Sequence, residues 1–319
     1  MLRTVNQLLS PGGARGRLAI MIFHRVPRVV DPMFPLEPDA ARFERDMRNV
    51  RRWFHVLPLE AAVARLREGS LPARALAITF DDGYADNHDV ALPILTRLNL
   101  TATFFIATSF LDGGCMWNDR VVEALRAFDG DSLDLTDAGL GIVDTGSLQA
   151  RRSAVASLLG RLKYRPLHER LAAADAVLAA ARVPAPERLM MTSDQVRRLA
   201  DAGMSIGAHT HRHPILARLD EAESRDEIAR SRDVLQGLLQ APVRLFAYPN
   251  GKPGVDYRAT DVDHVRALGF TAACSTAPGV AGRDADPLQL PRFTPWDQRP
   301  WKFGMRMSSQ LRRQAYAVA

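Results

Sequence analysis

The sequence predicts an α/β protein, a distorted (β/α) barrel with an inserted, mainly helical subdomain. Short apolar runs alternate with helical patterns, as in barrels of parallel strands with external helices. The length of 319 residues suits one barrel of about 250 residues with an insertion. The alternation fails between Asp112 and Met191, where leucines at helical spacing follow a stretch rich in Asp, Gly and Thr. We therefore predict an N-terminal extension, a barrel with a helical insertion, and a basic C-terminal tail: 1–16, 17–300 with 112–191 inserted, and 301–319.

An apolar run that ends in two acids is the first functional signal. The run Ala75–Phe80 predicts a buried strand, and Asp81, Asp82 and Gly83 follow it. Catalytic groups gather at the carboxyl ends of strands in α/β barrels. Because side chains alternate along a strand, both carboxylates share a pocket only if the backbone turns there, which Gly83 permits. An isolated Asp-Asp-Gly is more often a solvated turn, so a second signal is needed.

Three histidines after another strand-like run, 204–208, supply that signal. His209 and His213 are four residues apart, and in a helical turn that spacing places both side chains on one face. With one carboxylate they give an N,N,O ligand set, which suits zinc or a similar ion with a position left for water. The alternative is a histidine cluster that serves only hydrogen bonding. Together, the two motifs predict a catalytic metal site.

These residues resemble the polysaccharide deacetylases of carbohydrate esterase family 4, also called the nodulation-type deacetylase homology domain. Thr-Phe-Asp-Asp-Gly at 79–83 resembles the family's first motif, and His-Thr-x-x-His-Pro at 209–214 its second. The helix at 91–95, the strand at 102–106 and the third motif at 246–251 also resemble the family.

The resemblance assigns roles to the matching positions. It implies that Asp81 is the catalytic base and that Asp82, His209 and His213 hold the metal, leaving His211 outside the triad. Zinc is the expected ion, with cobalt or nickel as alternatives. In the third motif, the main-chain N–H of Asn250 is expected to hold the oxyanion.

Three further residues are expected to contact substrate. Tyr248 and Pro249 belong to the third motif, and Trp117 in the insertion offers a stacking face. The alternative is that Trp117, like Trp296 and Trp301, is a core or rim aromatic residue.

The sequence departs from the family at two catalytic positions. Many members have an arginine two residues before the third-motif proline, where this chain has Ala247. We expect Arg292 to orient Asp81 instead, with Arg244 as the alternative. Many members also have a late Leu-x-His whose histidine is the general acid, whereas Leu290-Pro291-Arg292 has none.

The general acid is therefore expected elsewhere in the chain. One subgroup, similar to the deacetylases of poly-β-1,6-N-acetylglucosamine, is circularly permuted and places this histidine on an amino-terminal strand. The apolar run 18–23 ends at His24, which we predict to be the general acid. The alternative is that His24 is a histidine of the barrel rim whose hydrogen bonds are satisfied and that has no role in catalysis.

The expected activity is metal-dependent hydrolysis of a carbon–nitrogen bond other than a peptide bond. The substrate would be the N-acetylated sugars of a polysaccharide or its lipid-linked precursor, in exopolysaccharide biosynthesis. One alternative is a carbohydrate-binding relative without catalysis, which the two departures favour and the intact metal motifs oppose. Another is a barrel amidohydrolase that uses His209 and His211. Its histidine pair normally follows the first strand, and beyond the motif only His264 lies downstream.

Composition restricts the partners and the location. The formal charge of +6 comes almost entirely from dispersed arginine, and no nucleic-acid-binding signature accompanies it, so no nucleic-acid partner is expected. Two cysteines imply no disulfide framework. The sequence has no apolar stretch of signal-peptide or membrane-span length, which predicts a cytoplasmic protein. The basic tail, 306–313, could contact an anionic membrane surface peripherally or form a frayed or packed helix. The oligomeric state is not predicted.

Overall fold

A parallel sheet curled into a barrel is the centre of the molecule. The structure, a computed structural model, describes residues 2–295, 297–313 and 316–319. Its strands are β1 Ala19–Phe23, β2 His55–Val56, β3 Ala75–Phe80, β4 Thr103–Ile106, β5 Ser132–Leu135, β6 Gly141–Asp144, β7 Ser205–Ala208, β8 Leu245–Ala247 and β9 Ala272–Cys274. The barrel strands are parallel in the order β1-β3-β4-β7-β8-β9, and β2 pairs with the start of β3.

Helices surround this sheet, as the alternating pattern predicted. They are α1 Leu2–Leu9, α2 Ala40–Trp53, α3 Leu59–Glu68, α4 Leu92–Arg97, α5 Trp117–Ala127, α6 Leu148–Leu162, α7 Leu167–Ala181, α8 Ser193–Asp201, α9 Glu221–Leu239, α10 Ala259–Ala267 and α11 Pro300–Gln310. Thr192 and Gln195 form a capping box at the start of α8, and Asp220 caps α9. Both helices therefore begin where their side chains satisfy free backbone N–H groups.

Both faces of the barrel sheet are buried. Because side chains alternate between the two faces along each strand, they form two separate hydrophobic clusters. Every residue of β1 and β3 is buried, which explains their continuous apolar sequence. One cluster joins Phe80 and Phe104, whose rings stack at 4.7 Å, to residues of the outer helices. The other contains Ala77, Phe105 and Leu290 and fills the barrel interior. Asp81 lies four residues after Ala77, and residues an even number apart share one face of a strand. Its side chain therefore belongs to the interior face, at the carboxyl end of β3.

An irregular segment closes the barrel. It makes single bridges to the two strands beside it instead of forming a regular strand. Leu290 bridges Cys274 of β9, and Phe293 bridges Met21 of β1. The Phe293 N–H donates to the Ile20 carbonyl at 3.1 Å, and the Ile22 N–H donates to the Phe293 carbonyl at 3.1 Å. The distortion places Arg292, between these bridges, in the barrel interior.

The insertion is mainly helical, as predicted, and has its own hydrophobic cluster. Its helices α5, α6 and α7 pack around Leu125, Leu158 and Val177. The Asp- and Gly-rich stretch before α6 also forms an antiparallel hairpin of β5 and β6, which the helical interpretation missed. One side of this subdomain faces the cavity at the carboxyl end of the barrel.

The terminal segments pack on each other. The Ser308 hydroxyl of α11 donates to Asn6 Oδ1 of α1 at 2.7 Å, so this part of the tail forms a packed helix. No helix in the described ranges is long and apolar enough to cross a membrane. Trp296 lies outside the described residues. The domain boundaries, the cytoplasmic location and the peripheral membrane contact stay predictions.

Candidate active site

The loops that follow four barrel strands meet at one cavity. Parallel strands place their carboxyl ends at the same rim, and residues after β1, β3, β7 and β8 lie there. The cavity has a volume of about 510 Å³. Its walls include every residue predicted for the metal site and for proton transfer: His24, Asp81, Asp82, His209 and His213.

Left-handed backbone shapes these loops. Asp82 (φ 77°) and Gly83 (φ 91°) turn the chain directly after β3, and this turn brings both carboxylates to the cavity. Thr210 (φ 61°) and His213 (φ 53°) are also left-handed. The helical turn predicted at 209–213 is therefore wrong, because left-handed residues rather than helical spacing bring the two imidazoles together. Non-glycine residues in this region cost about 1–3 kcal/mol each and persist where surrounding packing imposes them.

Asp82, His209 and His213 have the geometry of a metal site. Asp82 Oδ1 lies 3.4 Å from His209 Nε2 and 3.3 Å from His213 Nε2. All three ligand atoms fall within 4.8 Å of one another. A tetrahedral ion with bonds of about 2.0–2.1 Å needs ligand atoms roughly 3.3–3.4 Å apart. The donor set and its spacing therefore fit a divalent ion.

Neighbouring groups orient the two imidazoles. His209 Nδ1 lies 2.7 Å from the Ala247 carbonyl, which only accepts, so Nδ1 carries the proton and Nε2 presents a lone pair. Burial opposes protonation of His209, but Asp81 and Asp82 outweigh it and raise its pKa. Burial lowers the pKa of His213 to about 3, so this imidazole is neutral near pH 7 and available as a ligand. Burial favours the neutral form of Asp82, yet both histidines hold its pKa well below the usual range.

A buried arginine holds Asp81. Arg292 donates from Nη1 to Asp81 Oδ1 and from Nη2 to Oδ2, each at 2.7 Å. Its Nε donates to the Ser275 carbonyl at 2.9 Å, and Arg292 is 1 % exposed. Burial would raise the pKa of Asp81, but the guanidinium, together with His209, keeps that pKa below its ordinary value. Arg244, the alternative, is exposed and lies 3.9 Å from Glu60.

The His24 loop is fixed by residues just beyond the acidic motif. Asn87 Nδ2 donates to the His24 carbonyl at 2.8 Å. Arg25 Nε donates to Asp86 at 2.9 Å, and Asp86 also accepts from the Val26 N–H. The His24 side chain is exposed at the cavity, and Glu37 lines the cavity as well. The loop is thus anchored while its imidazole stays accessible.

Asn250, whose N–H is predicted to hold the oxyanion, lies at the cavity wall. It has φ of 60°, and its carbonyl accepts from the Thr276 hydroxyl at 2.7 Å. Within the described part of the chain, no acceptor is bonded to its N–H. That N–H is available to a ligand.

The other predicted substrate contacts lie deeper than expected. Tyr248 is fully buried, stacks on Tyr257 at 3.9 Å and donates its hydroxyl to the Leu288 carbonyl. Pro249 is also buried, and neither residue lines the cavity. In this structure both residues pack the third-motif loop, and substrate contact by either one stays a prediction. Trp117 does line the cavity but is 8 % exposed, with the Arg170 guanidinium 5.0 Å from its ring centroid.

The sequence interpretation missed several cavity residues. Asn118 and Asp119 lie in the first turn of α5, and Tyr84 directly follows the motif at 79–83. A polar pair beside Trp117 at the start of the insertion was the available signal. Without the fold, nothing showed that the insertion faces the barrel rim.

Comparison with known proteins agrees with this geometry. The polysaccharide deacetylase family model matches residues 68–135 and 148–273, which is more than half of the chain. YxkH of Bacillus subtilis strain 168, itself a predicted polysaccharide deacetylase, is 20 % identical over 282 residues, which cover 86 % of this chain and 70 % of YxkH.

Solved structures show the same fold. IcaB from Ammonifex degensii superposes with a TM-score of 0.59 at 16 % identity, covering 95 % of this chain and 98 % of that one. The Streptococcus pyogenes deacetylase PplD, solved with acetate, gives 0.58 at 19 % identity, covering 87 % and 92 %. From the family match, supported by the shared fold, we conclude that the chain belongs to the polysaccharide deacetylase family of enzymes.

Proposed function

We propose that this deacetylase is metal-dependent and removes acetyl groups from N-acetylated sugars of a polysaccharide or its lipid-linked precursor, in exopolysaccharide biosynthesis. The observation that carries the proposal is a carboxylate beside a three-ligand site. Asp81 is held by Arg292, and its Oδ2 lies 3.9 Å from His209 Nε2. The Nε2 atoms of His209 and His213 both lie beside Asp82 Oδ1. The proposed base and the three proposed metal ligands thus line one cavity.

Asp82, His209 and His213 would hold the ion, with zinc expected and cobalt or nickel as alternatives. Such an ion supplies Lewis-acid activation of water and of the acetyl carbonyl. Asp82 contributes the anionic ligand, and the neutral His213 contributes a lone pair.

Asp81 takes the proton of the attacking water. A base must be ionised before it accepts a proton, and the Arg292 contact keeps the pKa of Asp81 low enough for this near neutral pH. The bidentate contact also fixes the carboxylate plane, so Asp81 acts from a set position.

Asn250 and His24 complete the reaction. The free N–H of Asn250 donates to the developing oxyanion. His24 protonates the leaving nitrogen, a step that an amide needs because an unprotonated amine is a poor leaving group. A histidine at the cavity wall therefore supports an N-acetyl substrate over an ester.

Acetate release tests the proposed function. The zinc-loaded wild type should release acetate from a β-1,6-linked N-acetylglucosamine oligosaccharide. Asp81→Asn should lose about 10²–10⁴-fold in turnover while retaining its metal, because the base is lost and the three candidate ligands are unchanged. Asp137→Asn, an exposed aspartate of the insertion, is the matched control and should keep full activity.

Two results would contradict the proposal. Near-normal turnover by Asp81→Asn would remove Asp81 as the base. No acetate from the metal-loaded wild type on any N-acetylated glycan would favour the binding relative without catalysis.

A further inference from the structure

Asp119 is a buried carboxylate in the cavity that the proposed reaction does not use. It lies in the first turn of α5 and is 6 % exposed. Its Oδ1 accepts from the Tyr84 hydroxyl at 3.0 Å and from Asn118 Nδ2 at 3.3 Å. Its Oδ2 is buried without a hydrogen-bond partner. An acid in the first turn of a helix is ordinary on a surface, but here it is buried with one oxygen unsatisfied.

In the described part of the chain, no cation forms an ion pair with this carboxylate. Among the described residues none lies within ion-pair distance of Asp119, and the nearby Arg25 is bonded to Asp86 at 2.9 Å. An unsatisfied buried oxygen costs about 1–3 kcal/mol and more when charged. A carboxylate retained under these conditions at a cavity wall indicates a ligand that supplies the missing donor.

The surrounding wall indicates what kind of ligand. Met116, Trp117, Val122 and Leu159 line the same cavity as Asp119 and make part of its wall apolar. A pyranose ring combines apolar C–H faces with a rim of hydroxyl donors. The pairing of this wall with one open carboxylate oxygen matches that chemistry.

We propose that Asp119, supported by Tyr84 and Asn118, forms a sugar-binding subsite in which Oδ2 accepts a hydrogen bond from a ring hydroxyl of the glycan. The subsite assigns the insertion a function, since it places a glycan-binding residue in the same cavity as Asp82, His209 and His213. The inference rests on the proposed function for the glycan's identity as an N-acetylated amino sugar.

Turnover on two substrates separates sugar binding from chemistry. At pH 8, where the Asp119 carboxyl is mainly ionised and Oδ2 can accept, Asp119→Ala should raise KM for the β-1,6-linked N-acetylglucosamine oligosaccharide about 10- to 100-fold, the range for truncating a hydrogen bond to a charged group. Asp119→Asn should show a smaller rise, because an amide still exchanges a hydrogen bond with a hydroxyl. Hydrolysis of 4-nitrophenyl acetate, which has no ring hydroxyls, should stay within about twofold for both variants.

Three outcomes of the same experiment would contradict the proposed subsite. An equal loss on both substrates would make Asp119 a structural residue, and an unchanged glycan KM would leave it without a substrate role. Loss of bound metal in Asp119→Asn would make it a cation ligand. Asp137→Asn, with the same charge change on the same insertion, should alter none of these quantities.

A wild-type measurement keeps the test independent of folding in the variants. Glycans lacking one ring hydroxyl at a time should include at least one that the wild type binds about tenfold or more weakly. Asp119→Ala should be insensitive to removal of that same hydroxyl. If every deoxy glycan binds the wild type as well as the parent does, the subsite is wrong.

Binding measured without turnover separates this inference from the proposed function. Calorimetry with Asp81→Asn and Asp81→Asn/Asp119→Ala compares glycan affinity when both proteins hydrolyse it at least about 10²-fold more slowly than the wild type. Weaker binding by the double variant supports the subsite even if the wild type releases no acetate. Equal binding overturns the subsite even if acetate release is normal.

Discussion

Replacing Arg292 with leucine should destabilise the protein strongly through the buried ion pair. Arg292 is 1 % exposed and Asp81 is 2 % exposed. The guanidinium donates two hydrogen bonds to the carboxylate, Nη1 to Oδ1 and Nη2 to Oδ2, each at 2.7 Å. Removing one partner of such a pair costs about 3–5 kcal/mol, because the other charge stays buried without compensation. Since whole domains are stable by about 5–15 kcal/mol, Arg292→Leu should lose a large share of the total.

Urea unfolding of four proteins measures this effect: the wild type, Arg292→Leu, Asp81→Asn and the double variant. The loss of unfolding free energy in the double variant should be about 2–3 kcal/mol smaller than the sum of the two single losses. Arg292→Leu alone leaves the Asp81 charge buried without a partner, and Asp81→Asn removes that charge. Additive losses would refute the reasoning.

The same pair predicts a pH dependence. In the wild type the pKa of Asp81 is lowered, so the pair's contribution is present above the ordinary aspartate pKa of 3.8 and is lost as pH falls through the lower folded value. The difference in stability between wild type and Arg292→Leu should therefore be full at pH 7 and shrink below about pH 4. An equal difference at pH 7 and pH 3 would contradict the assignment.

Three other changes have defined outcomes. Asn87→Ala removes the 2.8 Å bond to the His24 carbonyl and should reduce glycan deacetylation about tenfold, measured by acetate release, while ester hydrolysis changes less. Gly207→Ala places a Cβ 2.5 Å from the Phe105 ring and should cost about 1–3 kcal/mol in urea unfolding, whereas Gly237→Ala, with nothing within 4 Å, should be neutral or stabilising. Burial raises the pKa of Asp119 to about 7, so its folded state binds a proton that the unfolded state releases. Asp119→Asn should therefore be more stable than wild type at pH 8, by up to about 4 kcal/mol, and this gain should vanish near pH 4.

The fold was predictable where local patterns were strong. The buried strands that end at His24 and Asp81 are continuous apolar runs, and Thr192 and Asp220 mark helix starts by their capping chemistry. The irregular closing segment was not, because single bridges at Leu290 and Phe293 depend on neighbours distant in sequence.

The site was predictable to the extent that motifs specify it. Asp82, His209 and His213 stand in two short motifs, so the sequence could group them. Choosing Arg292 over Arg244 required the barrel to close, since only closure shows which arginine reaches the interior. Asp119 was missed because its burial depends on the insertion covering the rim, and no pattern within 112–191 records that contact.

Bound metal per chain is the most direct test of the central claim, that Asp82, His209 and His213 hold a catalytic ion. Elemental analysis would compare wild type, His213→Ala and His211→Ala purified identically. His211 is the matched control, since its Nδ1 lies 2.9 Å from the Thr108 hydroxyl and it stands outside the triad. The account predicts about one ion per chain in wild type and His211→Ala and almost none in His213→Ala. Loss of metal in His211→Ala with retention in His213→Ala would contradict it and favour the amidohydrolase arrangement.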